Sequence, residues 1–163
     1  MNAAAVGTPL NGCVLHRLTP ADAAAMAGCE RRVQPTPWTA GMVNDSLAAG
    51  AEGHWLAAPH EMAAAPEMVA YVLAQPTVDE TELLTLGVLP HWRRRGLAAF
   101  LLARVVEAAK ARGDARLLLE VRASNLGAQA FYRQQGFTAI GRRPGYYPTA
   151  DGREAALVMA KKL

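Results

Sequence analysis

The stretch from Glu80 to Arg122 constrains the fold more than any other part of the chain. It opens with ETELLTLGVLP, apolar in the manner of a strand, passes through the basic turn HWRRRG, and continues as LAAFLLARVVEAAKARG. In that last piece Leu97, Leu101, Val105 and Ala108 fall on one helical face, and Gly113 is placed to end the helix. LLLEV then reads as a strand again, its three leucines and Val121 suited to burial on both faces. Glu120 does not fit that reading, because a carboxylate inside a buried strand needs a partner or a purpose.

The flanking sequence supplies more strands and helices. VLHRLTPADAAAMAGCERR predicts a short strand and a helix with Thr19 as N-cap, Pro20 at the first helical position and Asp22 in the first turn. VQPTPWTA is a Pro-punctuated loop, and TAGMVNDSLAAG predicts a short helix ending at Gly50. HWLAAP and EMVAYVLAQ read as strands that lead into ETELLTLGVLP. After the leucine strand, Ser124 or Asn125 caps a helix over LGAQAFYRQQG that Gly136 ends, and FTAI and EAALVMA close the chain as strands. The pattern is α/β with a mixed sheet.

At 163 residues and 52% hydrophobic content, the chain fills one core of ordinary size. The reading is a single domain over residues 14–163, preceded by a mobile extension over 1–13 that carries no signal-peptide pattern. No run of about 18 uninterrupted apolar residues is present, so a cytoplasmic, membrane-free protein is expected. Cys13 and Cys29 have neither CxxC spacing nor a nearby histidine, so no metal site and no disulfide framework is expected. The net charge of +3 is mild and its arginines are dispersed outside HWRRRG and GRRPG, which argues against nucleic acid but leaves a local anion site open.

Four features carry chemistry. Gly87, late in its strand, marks a bulge or a close approach by another backbone or a ligand. The basic turn after it opens a helix, whose N-terminus offers unpaired N–H groups and a positive dipole end to a phosphate, although the spacing matches neither GxGxxG nor GxxxxGK[ST]. Taken singly, the arginines also fit a solvated helix start. Glu120 fits a strand carboxylate paired with Arg122 or Arg116, and Tyr132 fits a half-buried helix aromatic.

Taken together, these features resemble the GNAT N-acetyltransferase family: a strand with a late glycine, Arg-x-x-Gly-x-Ala opening a helix, a second strand bearing Glu120, and a second helix bearing Asn125 and Tyr132. Within that family, LEVRASN, FYRQQGF and GYYPTADGREAALVMA are similar to the RimI-type ribosomal-protein alanine N-acetyltransferases, and the similarity runs from Val14 to Ala160. The resemblance implies a mixed, mostly antiparallel sheet splayed at an acetyl-CoA cleft, with helices on both faces. It implies that backbone groups of Leu86, Gly87 and Val88 receive the pantetheine arm, with the Val88 amide steadying an oxyanion. Arg94, Arg95, Gly96, Leu97, Ala98 and Ala99 would wrap the pyrophosphate, and Asn125 would also touch the cofactor. By the same resemblance Glu120 would be the proton acceptor and Tyr132 the proton donor, and the splay would explain why a strand carboxylate faces reacting groups. Trp38, Tyr146 and Tyr147 would wall a slot for the first residues of a peptide, or else brace their own loop and hairpin. The chain departs from the family at Thr36-Pro37-Trp38, where Phe-Pro-Trp is common, and at Gly127, which weakens a helix start; both departures leave the cofactor motif intact.

The chemistry favours an N-terminal acceptor. An amine attacks a thioester only when neutral, and an α-amino group of pKa about 7.7–8.0 is already roughly one-tenth neutral near pH 7. A lysine amine at about 10.4 lies roughly 2.4 units higher, an extra cost of about 3.3 kcal/mol. By resemblance to the family, the expected partner is the N-terminus of a small-subunit ribosomal protein beginning with alanine, met by a monomer or weak dimer. Two other readings stay open: a relaxed family member acetylating other N-termini, lysines or a small amine, and a non-catalytic module that binds acetyl-CoA or a ribosomal partner.

Overall fold

The computed structural model describes residues 10–59, 61 and 65–163. Among these described residues seven strands form: β1 (Val14–Arg17), β2 (Glu52–Ala57), β3 (Met68–Pro76), β4 (Glu80–Val88), β5 (Arg116–Arg122), β6 (Thr138–Thr149) and β7 (Gly152–Lys162). Four helices accompany them: α1 (Ala23–Val33), α2 (Ala40–Ala48), α3 (Leu97–Arg112) and α4 (Leu126–Gln134). The strands are hydrogen-bonded in the order β1-β2-β3-β4-β5-β7-β6. The β4–β5 pair is parallel, while β1–β2, β2–β3, β5–β7 and β6–β7 are antiparallel. The sheet is therefore mixed and mostly antiparallel, as expected.

The described residues pack as two compact units. One comprises those up to Gln75 with Thr85–Val105, the other Pro76–Leu84 with Val106–Leu163, so β4 and α3 contribute to both. Of the expected N-terminal extension, residues 1–9 lie outside the described residues. Leu10–Cys13 form a tight turn, with Asn11 and Gly12 at φ 51° and 76° and the Cys13 N–H on the Leu10 carbonyl at 2.9 Å.

In the first unit β3 is buried from Met68 to Ala74, the signature of a strand covered on both faces. Thr19 does not cap α1 directly. A 3-10 turn over Pro20–Asp22 intervenes, because Asp22 Oδ2 accepts from both the Thr19 N–H (2.8 Å) and its hydroxyl (2.7 Å), and α1 begins at Ala23. Both cysteines are free and buried, and burial pushes their thiols up.

Three expectations change. The buried stripe of α3 is Leu97, Leu101, Leu102, Val105 and Ala109, not Ala108, since i+4 steps follow the helical face more closely than a final i+3 step. β5 is not covered on both faces: Leu117, Leu119 and Val121 are buried while Leu118, Glu120 and Arg122 lie half-exposed. A run of leucines conceals that alternation, because either face can accept leucine. The strand expected over FTAI continues instead to Thr149 as β6, through Gly141, Pro144 and Gly145, with register shifts between Ala139 and Gly141 and between Arg143 and Tyr147. β6 ends the strand order, and an edge strand tolerates proline because one side makes no ladder. Among the described residues no helix is long and apolar enough to cross a membrane.

Candidate active site

In the first unit, β4 alternates so that Thr85 and Gly87 are buried while Leu86 and Val88 are half-buried. Gly87 has a physical reason to be glycine. A Cβ there would overlap the hydroxyl and ring of Tyr71, itself fully buried on β3. The close approach is thus made by a side chain of the protein, where the sequence reading named another backbone or a ligand. Because Tyr71 is packed on all sides, Gly87→Ala is expected to destabilise the protein by about 1–3 kcal/mol, measured by denaturant unfolding. Unchanged stability would mean that Tyr71 can swing away.

Beyond β4 the chain makes a 3-10 turn at Pro90–Trp92 and enters the basic stretch. Arg93 Nε donates to the Val88 carbonyl (3.2 Å), and Arg95 Nη2 donates to the His91 carbonyl (3.2 Å) while its guanidinium lies 4.8 Å from the Trp92 ring centre. Arg94 is exposed and sits in the left-handed region at φ 62°, which disfavours any residue with a Cβ. Gly96 follows at φ 79°, with open space where a side chain would be. The Phe100 N–H bonds the Gly96 carbonyl at 3.0 Å, so Leu97, Ala98 and Ala99 are the leading residues of α3, whose N–H groups have no carbonyl one turn back within the helix. This is the donor set that suits a pyrophosphate. Trp38 is half-buried, and its N–H donates to Glu30 Oε2 at 3.1 Å.

In the second unit the parallel ladder registers Glu80–Leu83 on Arg116–Leu119, and Glu120 is the next residue. It stays paired on its other side, opposite Val158 of β7. Its side chain is 14% exposed, and Oε1 receives Arg143 Nε at 2.9 Å. The partner is thus Arg143, not Arg122 or Arg116. Arg122 bonds Glu154 (2.9 Å) and Arg116 bonds Glu80.

The paired tyrosines stand around the same carboxylate. Glu120 raises the pKa of the Tyr146 hydroxyl, and the Tyr147 hydroxyl donates to the Glu120 carbonyl at 3.4 Å. Burial, followed by the Glu120 charge, pushes Tyr147 up to about 12. Their rings meet edge to face with centres 4.9 Å apart. Arg122 lies 4.5 Å from the Tyr147 ring centre and donates to the Pro148 carbonyl (3.0 Å), while Arg153 donates to the carbonyls of Gly145 (2.6 Å) and Tyr146 (2.9 Å). The hairpin is pinned from its own partner strand and from β5.

Tyr132, on α4, packs edge to face on Phe131 and Phe137, with ring centres 5.2 and 5.6 Å away. The ring keeps some exposure but its hydroxyl lies deep, and burial raises its pKa well above the ordinary phenol value, with Tyr147 adding to the rise. That hydroxyl stays protonated, as a donor must. Asn125 resolves the choice of cap: its Oδ1 accepts from the Ala128 N–H (3.1 Å), while the Ser124 N–H goes to Glu154 Oε2 (3.1 Å).

Within the second unit the structure thus gathers Glu120, Tyr146 and Tyr147, with the Tyr132 hydroxyl near Tyr147, and uses the Asn125 oxygen as a helix cap. Within the first it gathers Leu86–Val88 and the 94–99 turn. Sequence reasoning missed Arg143, whose signal was the GRRPG run, and Glu30, whose signal was hidden in the polar run CERR. Among the described residues no three His, Cys, Asp or Glu side chains form a metal-ligand group.

The acetyltransferase (GNAT) family pattern matches residues 23–137, and the chain belongs to that family. The ribosomal protein bS18-alanine N-acetyltransferase of Escherichia coli is 44% identical over 94 residues, which is 58% of this chain and 64% of that relative, so the match spans just under two thirds of the relative's length. The crystal structure of the ribosomal-protein-S18-alanine N-acetyltransferase from Escherichia coli superposes with a TM-score of 0.82 at 33% identity, over 92% of this chain and 93% of that one. Arabidopsis thaliana NAA60 in complex with acetyl-CoA, 17% identical, shares the fold with a TM-score of 0.78, over 93% of this chain and 98% of that one.

Proposed function

We propose that the chain is an acetyl-CoA-dependent N-terminal acetyltransferase acting on the α-amino group of an N-terminal alanine, in a small-subunit ribosomal protein, within the cytoplasm. The observation that carries this reading is the likeness in fold and sequence to the Escherichia coli enzyme over nearly the whole chain. Acetyl-CoA supplies the acetyl group as a thioester. Backbone groups of Leu86–Val88 align its arm, and the amides of Leu97–Ala99 with the Arg94 turn hold its pyrophosphate.

Glu120, directly or through water, accepts a proton from the acceptor amine as the new N–C bond forms. The Val88 amide stabilises the oxyanion of the tetrahedral adduct. As the C–S bond breaks, the Tyr132 hydroxyl donates its proton to the departing sulfur, and solvent carries the proton from Glu120 back to the phenolate. One amine proton thus becomes the thiol proton, and no protein nucleophile is needed. Trp38, Tyr146 and Tyr147 wall the acceptor's first residues, and Asn125 completes the cofactor contacts.

The deciding experiment is release of free thiol from acetyl-CoA at neutral pH with a short alanine-initiated peptide, and with the same peptide blocked at its N-terminus. Turnover with the free amine alone is expected. Equal turnover with a blocked, lysine-containing peptide would make the chain a side-chain enzyme, and no turnover with either would leave a binding module.

A further inference from the structure

Glu30 is a carboxylate at 0% exposure that the proposed reaction does not use. Its two oxygens serve different parts of the first unit. Oε1 accepts from the Thr85 hydroxyl at 2.6 Å, a length that fits a charge-assisted bond, and Oε2 accepts from the Trp38 N–H at 3.1 Å. One turn on, Gln34 Nε2 donates to the Leu86 carbonyl at 3.4 Å, and Tyr71 stands beside the same carboxylate.

A buried carboxylate is a poor device for stability alone, because well-packed apolar residues often do as well in its place. What Glu30 connects is more informative. Between α1 and α2 the chain runs through Pro35 and Pro37, which have no N–H to donate. The Gln34 N–H bonds back to the Glu30 carbonyl (2.8 Å), and the next helix is capped by Thr39 Oγ1 on the Met42 N–H (3.2 Å). The Trp38 amide falls between these two anchors and is fixed by the Glu30 side chain. Thr85, the other ligand of that side chain, immediately precedes Leu86, Gly87 and Val88.

We propose that Glu30 is a positioning residue for the acceptor peptide: it clamps the Trp38 segment to β4 so that the acceptor's first residues meet a preformed wall. This rests on the acyl-transfer reading, which makes that segment an acceptor wall. The role is one of preorganisation, so it acts on acceptor affinity and not on the bond-making step.

Glu30→Met keeps the volume and removes both acceptors. Its KM for an alanine-initiated peptide is expected to rise about tenfold or more. Its kcat and its KM for acetyl-CoA are expected to change by less than about threefold. Glu30→Gln is expected to restore most of the peptide KM, because its oxygen can keep the Trp38 N–H while its NH2 donates to a rotated Thr85 hydroxyl. Hydrogen exchange at the Trp38 amide, read without any acceptor, is expected to quicken about tenfold in Glu30→Met and little in Glu30→Gln. Unchanged exchange, or parallel losses of peptide and acetyl-CoA affinity, overturns the proposal. If Glu30→Met does not fold, Thr85→Val decides: a peptide KM raised about threefold or more upholds the clamp, and an unchanged one overturns it. Absence of turnover in the unaltered protein would sink the acyl-transfer reading and leave the exchange result to stand by itself.

Discussion

Turnover of Glu120→Gln on an alanine-initiated peptide falls by about 10²–10³ near pH 7, with acetyl-CoA affinity held within about threefold. The substitution preserves shape and leaves an oxygen for the Arg143 Nε that now sits 2.9 Å from the carboxylate, so β5 and its pairing with Val158 have no reason to shift. The ability to take a proton is lost, together with the negative charge that faces Arg143. The neutral fraction of the acceptor is set by its own pKa of about 7.7–8.0 and is the same for both proteins, so both rates rise through that range while their ratio holds. Thiol release from pH 6 to pH 10, with titration calorimetry of acetyl-CoA, checks both halves. A parallel collapse of cofactor binding would recast Glu120 as a support for its strand.

Tyr132→Phe is the second large effect, a fall of about a hundredfold in kcat with both KM values little changed. The ring packing on Phe131 and Phe137 does not need the hydroxyl, so the loss reports on the proton alone. The direction of the pKa shift adds a sign. Because burial raises this phenol, the folded state holds its proton where an unfolded tyrosine, of pKa about 10, would release it. Stability from this group is therefore complete below pH 10 and lost as pH rises from there through the folded value; Tyr132→Phe removes that alkaline loss. The unaltered enzyme is expected to show no decline in kcat at the ordinary tyrosine pKa. Unchanged kcat in Tyr132→Phe would assign the leaving sulfur's proton to water.

Some of this was legible in the sequence for identifiable reasons. α3 declared itself because Leu97, Leu101 and Val105 recur at helical spacing and Gly113 stops them, and α4 because Asn125 and Gly136 bracket it. Glu120 stood out because a charge among leucines is costly unless used. The full length of β6 was hidden, since Gly141, Pro144 and Gly145 are turn residues everywhere except at an unpaired edge. Arg143 could not be matched to Glu120, because the hairpin's register shifts decide which of two adjacent arginines reaches it. Glu30 was masked by its neighbours: in CERR it looks like one more solvated charge on a helix, while Arg31 and Arg32 face water and it does not.

The position of β7 has a consequence for the order in which this half of the sheet can be made. β7 follows both β5 and β6 in the chain yet lies between them, bonded to each. During synthesis two strands therefore wait with open edges for a third that emerges later, and Glu120 stands on one of those edges. A polypeptide interrupted before Arg153 would present both to other molecules, a route to misassociation that a complete chain closes in a single insertion.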